Sequence, residues 1–156
     1  MMEAAMLLSQ SVFVFVMRKI CLLVLPLLLL DQLTKWLMAG KSFEVMGDFF
    51  RLHYSENFGG GFGLFQGFGP FLIIIAMVAI VVIFLLYLRE ESRILRWAYM
   101  LIIAGASGNL IDRIFLGYVR DFINVGWWPN FNFADSYITI AVALLVVDFY
   151  LSRKKN

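Results

Sequence analysis

The chain has 156 residues, 62% of them hydrophobic, with a formal net charge of +2 and a mean hydropathy of +0.86. That apolar share, against roughly half in soluble domains, excludes an ordinary soluble protein, and so small a charge with no basic stripe among aromatics gives no ground for a nucleic-acid partner. A single cysteine (Cys21) and a single histidine (His53) exclude an internal disulfide framework, a CxxC motif and a His-rich metal site, so any metal would have to be held by carboxylates.

Met1 to Val16 is apolar and carries no chemistry. It reads equally as an extension of the first helix, an interfacial segment or an over-called start ahead of Met17-Arg18-Lys19. Ile20 to Leu30 is uncharged and Leu-rich behind that basic head, as in a secretory leader, but no small-x-small cleavage signal follows. Arg18 to about Met38 is therefore expected to be a first span with its basic end inside. Asp31 and Lys35, four apart, share a helix face near the far end. They read either as an interfacial ion pair or as a support, or lipid-headgroup contact, beneath a site.

Gly40 to Asn57 alternates apolar and polar residues around Gly47-Asp48, which predicts a small extracytoplasmic hairpin or sheet. His53 falls within it without a Ser or Cys nucleophile pattern and reads as a surface or strand residue. Asn57-Phe58-Gly59-Gly60-Gly61-Phe62-Gly63 permits tight turns and close backbone approach, but no Gly-Lys-Ser/Thr follows to make it a phosphate loop. No charge occurs from Phe58 to Leu88, so a second span fits about Phe68 to Leu88 with Pro70 near its start. Arg89 to Arg96 is a charged connection with three arginines, expected on the cytoplasmic side.

The third apolar run, to Ile111, carries Gly105 and Gly108 among Ala104, Ala106 and Ser107, a small-residue face for close helix contact. Asp112 to Asp135 is mixed, with Trp127 and Trp128 suited to a membrane interface. The fourth span covers roughly Ala134 to Leu151, with Asp148 read as an ion pair to the Arg153-Lys154-Lys155 tail. The chain is thus expected to be one all-α integral membrane domain over 1–156. Its four transmembrane helices fall at about 18–38, 68–88, 94–112 and 134–151, and a small β-rich segment and a loop at about 39–67 and 113–133 are extracytoplasmic. Four spans put both termini inside and bring the basic clusters Arg18/Lys19, Arg89/Arg93/Arg96 and Arg153/Lys154/Lys155 to one side.

This topology gathers Asp31, Lys35, Asn57, Asn109, Arg113, Asp121 and Asp135 at the outer ends of spans or in outer loops. Ionisable groups near membrane depth cost about 2.5–3.5 kcal/mol each on insertion scales, and they usually mark function. Two carboxylates brought close share one proton. Such a pair can deprotonate water and polarise a peptide carbonyl, which is hydrolysis without a covalent intermediate. Spacing leaves open which two of Asp112, Asp121 and Asp135 pair. Asp112 precedes Arg113 at a helix end, where it is neutralised or solvated, whereas Asp135 opens the fourth helix, where the dipole favours a carboxylate. Chemistry alone therefore favours Asp121, in a loop able to fold over it, with Asp135.

Asn57 to Gly63, Gly108-Asn109-Leu110-Ile111-Asp112-Arg113, Val119-Arg120-Asp121-Phe122-Ile123 and Phe131-Asn132-Phe133-Ala134-Asp135-Ser136 resemble the ordered motifs of the lipoprotein signal peptidase (signal peptidase II) family. Asp31-x-x-x-Lys35 is similar to its first-helix motif. One motif alone is unspecific; five in order with four spans, over about Arg18 to Leu151, are not. The resemblance implies an aspartic endopeptidase of the bacterial inner membrane that cuts prolipoproteins before a diacylglyceryl-modified cysteine. Asp121 and Asp135 would be catalytic. Asn109, Arg113, Asn132 and Ala134 would shape the dyad's surroundings, with Gly105 and Gly108 packed beside them. Asn57 and Gly59 would lie in the substrate loop, with Asp31 and Lys35 as support. It implies no metal or organic cofactor, contact with membrane lipid, and sensitivity to globomycin-type inhibitors. Gly61 stands where the family usually has alanine, and Ala104 where a first glycine is usual. Two other classes compete: a channel or transporter subunit whose polar cluster lines a pathway, for which no inverted repeat is evident, and a scaffold whose polar residues only hold helices together.

Overall fold

The computed structural model describes residues 2–47, 49–60 and 65–154, with the side chains of 2–17, 19 and 20 left aside. Its elements, in chain order, are α1 (Met2–Met38), β1 (Ser42–Met46), β2 (Phe50–Asn57), α2 (Gly69–Arg89), α3 (Arg93–Leu116), β3 (Val119–Val125) and α4 (Phe133–Arg153). Among the described residues, four helices contain windows long and apolar enough to cross a membrane: Cys21–Met38, Gly69–Arg89, Arg93–Leu116 and Phe133–Arg153. At about 1.5 Å per residue, α1 is longer than the ~30 Å hydrocarbon core of a bilayer, so Met2 onward continues the first helix beyond its span.

Local signals set the helix ends. Pro70 lies in the first turn of α2, where its missing N–H is harmless. Ser92 caps α3 by accepting from the Leu95 N–H, and Gly117 ends that helix in the left-handed region at φ 83°, a conformation nearly free only for glycine. Asn132 and Asp135 form a reciprocal capping box at the start of α4.

The distribution of polarity is inverted relative to a water-soluble protein. Leu22, Leu29, Ile74, Val78, Val81 and Val146 are exposed, whereas Asp31, Lys35, Asn109, Asp112, Asp121 and Asn132 are buried. Hydrocarbon facing outward along whole helices, with charges inside, fits a lipid surround. α3 packs against each of the other three helices. Toward its N-terminal end, Tyr87 and Met100 form a core with Leu23, Val24 and Phe84. Toward the other end it packs closely on α4: a Cβ on Gly105 would overlap the Ala134 carbonyl oxygen, and one on Gly108 would meet the Ala134 Cβ at 3.2 Å. The small-residue face thus has a defined counterpart.

The sheet is antiparallel in the order β1-β2-β3. The hairpin expected within 40–57 is present, with Phe43 opposite Leu52, although Asp48 of the predicted turn lies outside the described residues. Two sequence expectations need correction. The stretch 113–133 is not a loop throughout: Val119–Val125 is a strand pairing with β2, with Ser55 opposite Asp121 and Asn57 opposite Val119. Its strand pattern was masked because both faces are largely covered, which removes the alternation that marks a half-buried strand. α3 runs on to Leu116, past the expected end at 112, because Gly117 is the first residue able to close it. Asp148 accepts from the Ser92 hydroxyl at 2.6 Å; Lys155 of the tail expected to pair with it lies outside the described residues.

Candidate active site

The cluster is assembled from α1, β2, α3, β3 and α4. Asn132, fully buried, is its centre. As N-cap of α4 its side-chain oxygen accepts from the Asp135 N–H at 2.9 Å, which fixes the amide so that Nδ2 points the other way. That nitrogen donates to Asp121 Oδ1 at 2.7 Å. The Asn132 backbone N–H donates to Asp135 Oδ2 at 3.2 Å. One residue thus holds the carboxylates of β3 and α4 together. Each takes a second donor: Asn109 Nδ2 to Asp135 Oδ1 at 2.7 Å, and Asn57 Nδ2 to Asp121 Oδ2 at 3.0 Å. Asp121 is 2% exposed. Burial, and after it the nearby charge of Asp135, raise its pKa from 3.8 to about 7 against the donors Asn57 and Asn132.

Behind Asn109 lies a buried charge network. Lys35 Nζ donates to Asn109 Oδ1 at 2.9 Å and pairs with Asp31 at 2.9 Å and Asp112 at 3.4 Å, with all three charged side chains fully buried. The Asp31–Lys35 pair is therefore internal, and the lipid-headgroup reading is excluded. Asp31 also accepts from the Ala134 N–H at 2.9 Å, a carboxylate at the positive end of α4. Asp112 is neutralised, not solvated: Arg120 approaches it at 2.7 Å and Gln32 donates to it at 3.2 Å. Asp112 does not line the cavity described below; its oxygens are committed elsewhere.

Asn57 and Gly59, in the described start of the glycine-rich segment, lie against the site. Asn57 Oδ1 accepts from the Gly59 N–H at 3.0 Å, and Arg113 donates to the Gly59 carbonyl at 2.8 Å. Gly61 and Gly63 of that motif lie outside the described residues. An open cavity of about 540 Å³ runs from this loop along α4, lined among others by Asn57, Asn109, Arg113, Asp135, Thr139 and Ile140. Asp135 faces it directly. The Asn57 amide screens Asp121. Polar groups thus meet an apolar groove at one end of the helix bundle.

The structure brings together Asp31, Lys35, Asn57, Gly59, Asn109, Arg113, Asp121, Asn132 and Asp135, with Gly105, Gly108 and Ala134 as the close-packed support. Gln32 and Arg120 were missed. Gln32 is next to a noted aspartate, and Arg120 would have stood out only with β3 recognised as a strand, where neighbouring side chains take opposite faces.

The signal peptidase (SPase) II family pattern matches residues 23–151. The chain is 40% identical over 145 residues to a lipoprotein signal peptidase of Fusobacterium nucleatum, covering 86% of this chain and 88% of that one. It is 43% identical over 138 residues to that of Thermodesulfovibrio yellowstonii, covering 83% and 90%. A solved structure described as a bacterial membrane enzyme superposes with a TM-score of 0.83 at 30% identity, covering 88% of this chain and 91% of the other.

Proposed function

This chain belongs to the signal peptidase II family of lipoprotein signal peptidases, and from that premise we propose that it is an aspartic endopeptidase in which Asp121 and Asp135 activate water. The observation that supports the reading best is the double grip of Asn132 on the two carboxylates. Asp135, with two N–H donors in the first turn of α4, is the ionised member, and Asp121 carries the shared proton. Asp135 takes a proton from water as its oxygen attacks the scissile carbonyl carbon, and Asp121 gives its proton to the carbonyl oxygen. On collapse the C–N bond breaks, Asp135 protonates the leaving amine, and Asp121 recovers a proton from the hydroxyl that becomes the new carboxyl group. The dyad ends as it began.

The substrate in this reading is a prolipoprotein whose diacylglyceryl cysteine keeps its chains in lipid beside Thr139 and Ile140, presenting the preceding peptide bond to Asp135. The protein is one integral membrane unit of the bacterial inner membrane, with both termini cytoplasmic and the sheet and dyad extracytoplasmic. Globomycin-type inhibitors would compete for the same groove. Asn57, Gly59 and Arg113 shape the substrate loop; Asn109, Asn132 and Ala134 set the dyad; Asp31, Lys35, Gly105 and Gly108 hold the helices that carry it.

Purified protein should cleave a diacylated prolipoprotein at least tenfold faster than its unacylated form in a gel-shift assay. Equal processing of both would contradict the lipid requirement. The pH dependence follows from Asp121. An acid whose pKa is raised to about 7 keeps its proton below that value and loses it above. The value of kcat/KM should therefore fall on the alkaline side with an apparent pKa near 7, approaching tenfold per pH unit. A rate still climbing from pH 7 to 8 would remove the protonated Asp121 from the mechanism.

A further inference from the structure

The residue before Asp121 is held more firmly than any strand pairing requires. Arg120 donates its backbone N–H to Asp112 Oδ2 at 3.0 Å. Its Nε donates to the same oxygen at 3.3 Å, and one terminal nitrogen donates to Asp112 Oδ1 at 2.7 Å and to Gln32 Oε1 at 2.9 Å. The Arg120 carbonyl accepts from Asn132 Nδ2 at 3.3 Å. Both peptide groups flanking the Arg120 α-carbon are thus tied down, and the second of them leads into Asp121.

Partner positions explain the strength of this grip. Asp112 belongs to α3 and Gln32 to α1, and Gln32 is itself anchored to the Gly108 carbonyl at 3.0 Å. The guanidinium therefore joins the sheet to two membrane helices. Strand alternation sends the Arg120 side chain to the face opposite Asp121, so it reaches this junction without entering the cavity. The forked geometry of arginine, with two parallel N–H donors on one carboxylate, fixes direction as well as distance.

We propose that Arg120 is a positioning residue for peptide-bond cleavage: clamped by Asp112 and Gln32, it sets the β3 backbone and through it the Asp121 carboxyl against Asp135. This rests on the reading of Asp121 and Asp135 as the reacting pair. A clamp of this kind acts on the reacting geometry and not on substrate affinity, and a displacement of about 1 Å in such a group can lower a rate by 10²-fold.

Arg120→Lys keeps the buried charge opposite Asp112 but cannot reproduce the fork, and Gln32→Met removes the second acceptor while sparing the Arg120–Asp112 pair. With a diacylated prolipopeptide in detergent micelles, Arg120→Lys should lower kcat by about 10- to 100-fold and Gln32→Met by a smaller factor. KM should stay near that of the unaltered protein in both, and so should the melting temperature of Arg120→Lys; Gln32→Met also loses the donors to Asp112 and the Gly108 carbonyl, so its melting temperature should fall modestly. Wild-type kcat in folded Arg120→Lys would overturn the proposal, as would a loss expressed in KM. Failure of both variants to fold would also overturn it, in favour of a purely structural role. Asp121→Asn, assayed in parallel, separates the two ideas. Full activity there defeats the reacting pair itself, whereas an inactive Asp121→Asn beside a fully active Arg120→Lys defeats only the positioning.

Discussion

Asp135→Asn and Asp121→Asn should each lower the cleavage rate of a diacylated prolipoprotein by about 10³-fold or more, with the protein still inserted and folded. Proton transfer by a positioned side chain contributes about 10²–10⁴-fold, and here each acid moves a proton in both halves of the reaction. The substitution keeps shape and volume. In Asp121→Asn one amide oxygen still accepts from Asn57 or Asn132, and in Asp135→Asn one still accepts from Asn109 or the Asn132 N–H. Each variant loses one of two hydrogen bonds, a modest destabilisation of about 1–3 kcal/mol. A time course of substrate processing beside thermal unfolding in detergent separates chemistry from folding. Wild-type cleavage by either variant would exclude that residue from the reaction. Joint loss of activity and of the folded state in both would favour the scaffold reading.

Lys35→Met should be the most destabilising single change in the network. Its ammonium is the cation facing Asp31 at 2.9 Å, and it also approaches Asp112 at 3.4 Å, all without solvent. Removing one partner of a buried pair typically costs about 3–5 kcal/mol, because the other charge stays buried and unpaired. For a chain of this length that corresponds to a fall of roughly 10 °C in melting temperature. Activity should fall too, since Lys35 holds the Asn109 amide that donates to Asp135. Asp112 keeps Arg120 in this variant, so the loss centres on Asp31. The double variant Asp31→Asn with Lys35→Met removes both charges and should recover part of the lost stability. An unchanged melting temperature in Lys35→Met, or a double variant worse than the sum of its singles, would contradict this account.

Several features of the site were readable before any coordinates. Asp31 and Lys35 show their pairing in the i,i+4 spacing, because a helix repeats locally. The capping box of Asn132 with Asp135 three residues on is equally local, but was left unused in the sequence reading. Gly105 and Gly108 announce a close helix contact without naming the other side. Asp112 illustrates the limit. Its neighbour Arg113 looked like the neutralising partner, yet Arg113 reaches across to the Gly59 carbonyl and Asp112 is held by Lys35 and Arg120. Adjacent residues on a helix point about 100° apart, so proximity in sequence misleads where spacing of three or four does not.

By itself the amino-acid order determined four apolar runs, their helical form, the hairpin and the set of polar residues too costly to leave in lipid without a purpose. Those properties depend on hydropathy and on periodicities within a few residues. Tertiary structure decided that Val119–Val125 is a strand, that Asn132 bridges Asp121 to Asp135, and that Asp31 meets the Ala134 N–H across 103 residues of chain. Such contacts arise when excluded polar groups from distant segments must satisfy one another in a medium without water. Which donor finds which acceptor then depends on how the helices pack, and no local pattern encodes it.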